Sequence, residues 1–419
     1  MSWAVGRPYL VCGFVFAVCA AGLVLAVRAL WANPGDLEVY RAAGTAVFEG
    51  RSLYERPLVD GLYFVYPPVA GLLFLPLAPL SMGAAQAVFV VGGCLVLVCC
   101  AWWAWRAVGF ENGRAVVLTA LVAAGVLAFE PVYTSLHVGQ INLGLMALVL
   151  WDLLRADRCR SKGVGVGLAA AIKLTPLLFV LYLVATRRFR AAGVAAGSFS
   201  GAVALGAVVL PADSARFWLT GAFADSSRMW PDAGDPQNMS LNGLLIRLMG
   251  EVGSTTVLWL GLAGMLVGRT MVLASRAGRL GEPLLGVALV GLCTAAVSPW
   301  SWAHHWVWVV PLVVFAGARL LRATNRVVLL LWIPPVALAA LSVVPVLVPG
   351  PGGSADVASH SPAGWLLGDV YLILFVVALL SASGHLKALA LDAASQGDTS
   401  APAPAEPQAR EPLLPAGVP

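Results

Sequence analysis

The chain has 419 residues, of which 60% are hydrophobic and only 11% are charged. A water-soluble fold would have too few polar side chains to cover its surface, so this composition excludes an ordinary soluble domain and indicates a membrane protein. The net charge of +5 comes from basic residues in short clusters between apolar segments. Such clusters are typical of membrane topology, and they exclude a basic domain that would hold a nucleic acid.

Apolar segments recur along the whole chain, each long enough to cross about 30 Å of hydrocarbon as a helix. Short loops rich in Lys and Arg stay in the cytoplasm, so "RADRCRSK", "RRFR", "RAGR" and "RLLRATNR" orient these segments. We predict an all-α bundle of about 10 to 12 transmembrane helices with both chain ends in the cytoplasm. The predicted spans are 9–30, 84–105, 115–130, 137–154, 191–211, 254–274, 283–300, 303–320, 326–348 and 364–386.

The first span is followed by "WANPGDLEVYRAAG", residues 31–44. "NPGD" indicates a turn and a helix N-cap, after which 37–48 is predicted to form an interfacial helix. Asp36 and Tyr40 share one face of this helix, while Glu38 points elsewhere. A carboxylate in an apolar, partly dry site has a raised pKa, which suits a general base. The alternative is that Asp36 only caps the helix.

Two apolar segments do not fit simple spans. "YPPVAGLLFLPLAPL", residues 66–80, is too short to cross and is predicted at the outer interface. Residues 163–186 have a basic cluster on each side and carry Lys173 and Pro176 at their middle. Proline removes a backbone hydrogen bond, and an ammonium group is costly in lipid. We predict a re-entrant hairpin of two half-length helices that meet at Lys173; the alternative is one kinked helix with its lysine held by a carbonyl.

Two further motifs place polar residues on the predicted outer face. "HVGQINLG" places His137, Gln140 and Asn142 at the outer start of a helix, where they either bind sugar hydroxyls or hydrogen-bond between helices. "NMSLNG", with Asn238 and Asn242, is either a weak glycosylation sequon or a turn before the next helix.

A third motif, "SPWSWAHHWVW", covers residues 298–308. Its adjacent histidines lie about 100° apart on a helix, so one can face a cavity while the other faces a neighbouring helix. The tryptophans fit an aromatic belt at the membrane interface. Since no third ligand accompanies the histidines, we favour hydrogen bonding to an anion over metal ligation.

The predicted topology gathers these polar residues on the extracytoplasmic face of a multi-pass plasma-membrane protein. Loops there are too short for a separate domain, so we expect chemistry at the membrane surface on a substrate partly in the lipid. Residues 1–391 are predicted to form the transmembrane domain. Residues 392–419, rich in Ala and Pro, are predicted to be a disordered cytoplasmic tail.

Six motifs in order resemble one enzyme family: "DLEVYRAAG", "YPPVAGLLFLPLAPLS", "HVGQINLG", "AAAIKLTPLLF", "NMSLNGLL" and "SPWSWAHHW". Over residues 9–386 they are similar to glycosyltransferase family 87, the actinobacterial polyprenol-phosphate-mannose-dependent α-1,2-mannosyltransferases of GT-C fold. The resemblance implies a polyprenyl-phosphate-linked mannose donor and a glycolipid acceptor of the phosphatidylinositol mannoside or lipomannan type, both met among membrane lipids. No cofactor, metal ion or nucleic acid is expected, and the oligomeric state is left open.

The resemblance also implies roles for individual residues. It assigns the general base to Asp36 and a conserved histidine to either His304 or His305. A single in-line displacement would invert the mannosyl linkage, and the leaving phosphate would need positive charge or hydrogen-bond donors. Candidates for phosphate binding are His304, His305, Lys173 and Arg41. Candidates for sugar or acceptor contacts are Tyr40, Tyr66, His137, Gln140, Asn142, Asn238 and Asn242.

Three other functions are compatible with a polytopic chain. Relatives that use polyprenyl-phosphate arabinose share the aspartate loop and the Tyr-Pro-Pro motif but look less similar at the histidine pair. A lipid or sugar transporter would also have a broken helix, yet the two halves show no matching interrupted segments and the polar residues cluster at one face. A catalytically silent scaffold subunit is the third alternative.

Overall fold

The computed structural model describes residues 8–30, 34–225, 228–229, 232–250, 253–347 and 368–398. Apart from one isolated bridge between Val59 and Leu62, the regular structure of these residues is helical, which confirms the all-α prediction. In the first half the helices are α1 Pro8–Ala29, α2 Gly35–Phe48, α3 Pro68–Phe74, α4 Met82–Ala107, α5 Asn112–Gly125, α6 Glu130–His137, α7 Asn142–Leu153, α8 Val164–Ile172, α9 Leu177–Ala185 and α10 Phe189–Val209. In the second half they are α11 Pro211–Leu219, α12 Leu241–Met249, α13 Gly253–Arg279, α14 Pro283–Val297, α15 Val309–Leu321, α16 Arg326–Leu341, α17 Val344–Leu347 and α18 Val370–Asp398. Short 3₁₀ turns at Leu75–Leu77, Val126–Ala128, Ala222–Ala224 and Ala303–Trp308 join some of them.

Within the described residues, six helices are long and apolar enough to cross a membrane, which supports the prediction of a polytopic membrane protein. They are Met82–Ala107, Phe189–Val209, Gly253–Arg279, Ala303–Leu321, Arg326–Val346 and Val370–Ala394. Other predicted spans are shorter or bent. The helix over 137–154 is reduced to the 12 residues of α7, and the predicted straight span 115–130 bends by 74° between α5 with its 3₁₀ turn and α6. The bend falls where Phe129 is extended and a proline in the first turn of α6 starts a new helix.

The interfacial helix predicted after the first span is α2. It begins at Gly35, two residues earlier than the predicted 37, and its N-cap residue is Pro34 with no side-chain cap hydrogen bond. Asp36 therefore does not cap this helix and instead lies inside its first turn. Leu37, Tyr40 and Ala43 form its buried face, which packs on α3 and the 3₁₀ turn after it.

The segment around Lys173 forms the predicted helical hairpin. Helices α8 and α9 have nine residues each, so each is about 13 Å long, roughly half the hydrocarbon thickness. Lys173 between them is extended, with φ −148° and ψ 133°. At the hairpin base the Asp157 carboxylate accepts from both Lys162 (2.6 Å) and Arg188 (3.1 Å). The basic clusters before and after the hairpin thus contact one carboxylate, so both lie at the same end of the helical bundle.

The start of the hairpin is held by a buried carboxylate. Asp152, at the end of α7, accepts hydrogen bonds from the backbone N–H groups of Gly163 (2.9 Å) and Val166 (3.0 Å). A carboxylate at a helix N-terminus satisfies donors that have no partner within the helix. This contact turns the chain back after α7 and sends α8 toward the opposite end of the bundle.

We expect cysteines introduced at the exposed residues Arg158 and Arg187, in a background without the natural cysteines, to be labelled from the same side of the membrane. The matched control is Ala215→Cys, which lies beyond α10, one of the six full-length spans, and should be labelled from the other side. Labelling of R158C and R187C from opposite sides by an impermeant maleimide would contradict the hairpin.

The last helix, α18, continues to Asp398, beyond the boundary at 391 that the composition suggested. Its start at Val370 falls later than the predicted 364, and residues 364–367 lie outside the described part of the chain. Residues 399–419 of the predicted tail also lie outside the described residues.

Candidate functional site

A cavity of about 550 Å³ opens where α2, α6, the hairpin tip and the turn before α15 meet. This volume is in the range of small-molecule sites, which are largely apolar with a few placed polar groups. Seven of the predicted site residues line it, although they come from five separate parts of the chain: Asp36, Tyr40, Tyr66, Gln140, Lys173, His304 and His305.

The start of α2 is held against the turn between α6 and α7. The Leu37 N–H donates to the carbonyl of Val138 at 3.1 Å. Gly139 follows with φ +72°, and a Cβ there would come within 2.5 Å of the Leu37 Cβ. A side chain at 139 would push the two segments apart. The glycine in "HVGQINLG" therefore lets Gln140 reach the first turn of α2.

Gln140 connects Asp36 to a pair of tyrosines. Its side chain hydrogen-bonds Asp36, and its Oε1 accepts from the Tyr40 hydroxyl at 2.9 Å. The hydroxyls of Tyr40 and Tyr66 lie 2.7 Å apart. Burial raises the pKa of Asp36 above its ordinary value, while the Gln140 hydrogen bond and the Lys173 charge oppose that rise. A carboxylate with a raised pKa in an apolar cavity has the properties of a general base.

Lys173 extends from the break between the hairpin helices into the cavity. Its Nζ lies 3.1 Å from Oδ1 of Asn142, 2.8 Å from Nε2 of His305 and 5.3 Å from the centre of the Tyr66 ring. Asn142 also donates to the backbone carbonyl of His304 at 2.8 Å. Asn142 does not line the cavity itself, but it joins the lysine to the segment that carries the histidines.

The structure separates the two histidines that the sequence left equivalent. Both ring nitrogens of His305 face protein groups, with Nδ1 3.2 Å from the backbone nitrogen of Trp302 and Nε2 beside Lys173. His304 also lines the cavity, and its buried Nε2 has no hydrogen-bond partner among the described residues. Of the two histidines, His304 is therefore the one with a ring nitrogen that no described residue engages. In the described part of the chain, no group of three or more His, Cys, Asp or Glu side chains could hold a metal ion.

Besides Asn142, four predicted site residues lie outside the cavity wall. The Arg41 guanidinium donates through Nε to the Leu80 carbonyl at 2.7 Å, because its position on α2 turns it away from Asp36 and toward the end of α3. His137 packs on the Tyr133 ring and does not line the cavity. These placements do not fit the predicted phosphate contact of Arg41 or the predicted sugar contact of His137.

Asn238 and Asn242 hydrogen-bond the backbone of the segment just before the two histidines. Both donate to the Pro299 carbonyl, at 3.1 Å and 3.2 Å, and Asn238 also accepts from the Ser301 N–H at 3.0 Å. The asparagines of "NMSLNG" thus fix the turn of "SPWSWAHH", and the predicted sugar contacts by these two residues do not fit this arrangement. They are positioning residues for Trp302 and His304.

Among the cavity residues that the sequence did not identify as site residues are Glu130, Arg228 and Trp302. Glu130 did carry a signal, because an acid at the end of the apolar segment 115–130 is unusual at membrane depth. Arg228 lies in a segment without recognisable periodicity, 4.5 Å from the Tyr63 ring, and donates to the Tyr54 carbonyl at 2.9 Å. Trp302 was attributed to an aromatic belt, a role that many interfacial tryptophans have.

Comparisons with known proteins agree on the family. Residues 64–299 match glycosyltransferase family 87. A polyprenol-phosphate-mannose-dependent α-(1-2)-phosphatidylinositol mannoside mannosyltransferase of Mycobacterium tuberculosis is 33% identical over 326 residues, which is 71% of this chain and 76% of the relative. A protein of the same name from Mycolicibacterium smegmatis is 32% identical over 317 residues, or 68% of this chain and 70% of the relative.

Another Mycolicibacterium smegmatis relative, described as acting on phosphatidylinositol pentamannoside, is 32% identical over 293 residues, covering 68% of this chain and 69% of its own. Among solved structures, ArnT from Cupriavidus metallidurans bound to undecaprenyl phosphate aligns with 92% of this chain and 79% of that one, at a TM-score of 0.45 and 16% identity. The family match covers more than half of the sequence, and the mycobacterial relatives align over two thirds of their length. The chain therefore belongs to glycosyltransferase family 87 and is a membrane-embedded glycosyltransferase.

Proposed function

We propose that this enzyme transfers mannose from polyprenyl-phosphate mannose to a glycolipid acceptor of the phosphatidylinositol mannoside type. One observation carries the proposal: a carboxylate with a raised pKa, Asp36, shares a single cavity with the Lys173 ammonium and the His304 imidazole. The transfer needs a base for the acceptor and donors for the leaving phosphate. The names of the mycobacterial relatives support mannose as the sugar and a phosphatidylinositol mannoside as the acceptor.

Asp36 would act on the acceptor. As the acceptor oxygen attacks the anomeric carbon, its proton passes to the Asp36 carboxylate, and the bond from that carbon to the phosphate oxygen breaks. One in-line displacement inverts the linkage, so a β-linked mannosyl phosphate yields an α-mannoside. Gln140 holds the carboxylate in place and is itself held by Tyr40 and Tyr66.

Negative charge builds on the departing polyprenyl phosphate, and cavity donors would stabilise it. Lys173 supplies an ammonium at the hairpin tip, and His304 supplies a ring nitrogen that has no partner among the described residues. Arg228 is a better candidate than Arg41 for a contact with this phosphate, because Arg228 lines the cavity and Arg41 does not. Donors aimed at developing charge in a dry site typically contribute more than the same contacts in water.

The positions of the basic clusters support a site on the extracytoplasmic face. The hairpin base carries Lys162 and Arg188, and the cavity surrounds its tip at Lys173. Because short loops rich in Lys and Arg stay in the cytoplasm, the base faces the cytoplasm and the tip points toward the outer leaflet. In this orientation, in the plasma membrane, a polyprenyl chain can remain in lipid while its sugar enters the cavity.

The purified protein in lipid nanodiscs should form a new mannolipid when given polyprenyl-phosphate mannose and a phosphatidylinositol mannoside. Mass spectrometry measures the product, and polyprenyl-phosphate arabinose serves as the competing donor. If the enzyme transferred arabinose in preference to mannose, the proposed donor would be wrong and the enzyme would be an arabinosyltransferase. Movement of the donor across vesicles without a new glycosidic bond would identify a carrier, and the absence of both would favour a scaffold.

A further inference from the structure

The cavity contains a second buried acid that the proposed mechanism does not use. Glu130, the first residue of α6, lines the cavity with only 5% of its surface exposed. The Tyr371 hydroxyl donates to its Oε2 at 2.7 Å, and the Tyr371 ring stacks on Trp306 with centroids 5.6 Å apart. The carboxylate is thus held in one orientation. Acids buried at this depth are costly, and in membrane proteins they mark ligand sites.

Glu130 and the Asp36 end of the cavity lie at different positions along α6. The Asp36 end of the cavity is tied to Val138, which follows Glu130 by eight residues. At 1.5 Å per residue, the backbone of these two positions is about 12 Å apart along the helix. Since Asp36 takes the proton of the attacking hydroxyl in the proposed mechanism, Glu130 is left for a binding role.

Two tryptophan rings and an imidazole line the cavity beside the helix that carries Glu130. The Trp302 ring stacks on Trp300 with centroids 5.5 Å apart at 23°, and on His304 at 5.9 Å and 19°. The helix α6 packs against the 3₁₀ turn that contains His304. Aromatic rings offer apolar surface, and a carboxylate accepts up to about four hydrogen bonds.

This combination matches the chemistry of a sugar ring, which has an apolar C–H face and hydroxyl groups at its edge. We infer that Glu130, with the Trp300 and Trp302 rings, forms a second sugar subsite that binds the acceptor ring adjacent to the one attacked. The inference rests on the proposed function and deepens it, because it assigns an acceptor that carries at least two linked sugars. A cavity of about 550 Å³ leaves room for more than one sugar ring.

The test uses two synthetic acceptors, octyl α-mannoside and the octyl glycoside of a mannose disaccharide. With the full-length enzyme in nanodiscs, we expect Glu130→Gln to raise KM for the disaccharide about tenfold or more, as losing charge-assisted hydrogen bonds does. The advantage of the disaccharide over the monosaccharide should disappear, while kcat changes less than KM. Gln keeps an acceptor for Tyr371, so the fold is retained.

The matched control is Tyr371→Phe, which removes one hydrogen bond to Glu130 without altering a residue of the cavity wall. An increase in KM for Y371F equal to that for E130Q would show a purely structural role and would overturn the subsite. A change confined to KM for the polyprenyl donor would also overturn it, since Glu130 would then bind the wrong substrate.

A binding measurement without donor tests the subsite independently of the transfer reaction. Calorimetric titration of the enzyme with the disaccharide glycoside, without donor, should show weaker binding to E130Q than to the wild type. If neither probe accepts mannose but the disaccharide still binds through Glu130, the proposed donor is wrong and the subsite stands. If transfer proceeds and E130Q binds the disaccharide as the wild type does, the subsite is wrong and the transferase stands.

Discussion

Asp36→Asn should lower kcat for mannose transfer by about 100- to 10,000-fold, the usual contribution of a general base. Asparagine keeps the size of the side chain and its contact with Gln140 but cannot accept a proton. The measurement is the initial rate of mannolipid formation at saturating donor and acceptor. The control is Glu38→Gln on the same helix, because Glu38 lies outside the cavity wall and its change should leave the rate close to that of the wild type.

The pH dependence of the wild type supplies a second readout. Burial raises the pKa of Asp36, so the protonated, inactive form persists to higher pH than for an ordinary carboxyl near 3.9. The rate should therefore fall, as pH decreases, through an apparent pKa above that value. The same burial means that the ionised carboxylate opposes folding near neutral pH, so D36N should melt at the same temperature as the wild type or higher. A lower melting temperature with a proportional loss of activity would indicate unfolding instead.

Lys173→Met should lower kcat by about 100-fold or more, since it removes a positive charge aimed at the developing phosphate charge. Methionine keeps the unbranched length that fills the space between Asn142 and Tyr66. The Lys173 charge also lowers the pKa of Asp36, so the acid limb of the K173M rate profile should shift to higher pH. The lower kcat and the shifted acid limb are both measured from initial rates of K173M and the wild type over a range of pH.

The matched control is Arg41→Met, which removes a cation of the same region that does not line the cavity. Its loss should reduce thermal stability through the missing bond to the Leu80 carbonyl and leave the acid limb in place. An R41M enzyme about 100-fold slower than the wild type, together with a K173M enzyme close to the wild type, would reverse the assignment of the phosphate-binding cation.

Local sequence patterns were sufficient to predict several parts of this protein. Apolar length and basic clusters indicated a polytopic helical protein because a helix must satisfy its backbone in lipid. Basic clusters on both sides of 163–186 cannot both stay in the cytoplasm if the segment crosses once, so this segment was predicted to be a hairpin. Lys173 and Pro176 at its middle favoured a break in the helix at the same place. The interfacial helix and the face shared by Asp36 and Tyr40 follow from helical periodicity alone.

The composition of the site depended on contacts between distant segments. The two histidines differ because the ring nitrogens of His305 lie beside Lys173, 132 residues away, and beside the backbone of Trp302. Arg41 lies outside the cavity, with its guanidinium bonded to the Leu80 carbonyl, and Glu130 enters the cavity because the chain bends by 74° just before α6. The sequence by itself determined the helices and the residue types that carry charge in lipid, since those depend on periodicity and burial cost. Only the tertiary structure decided which side chains share the cavity, because that depends on how separate helices pack.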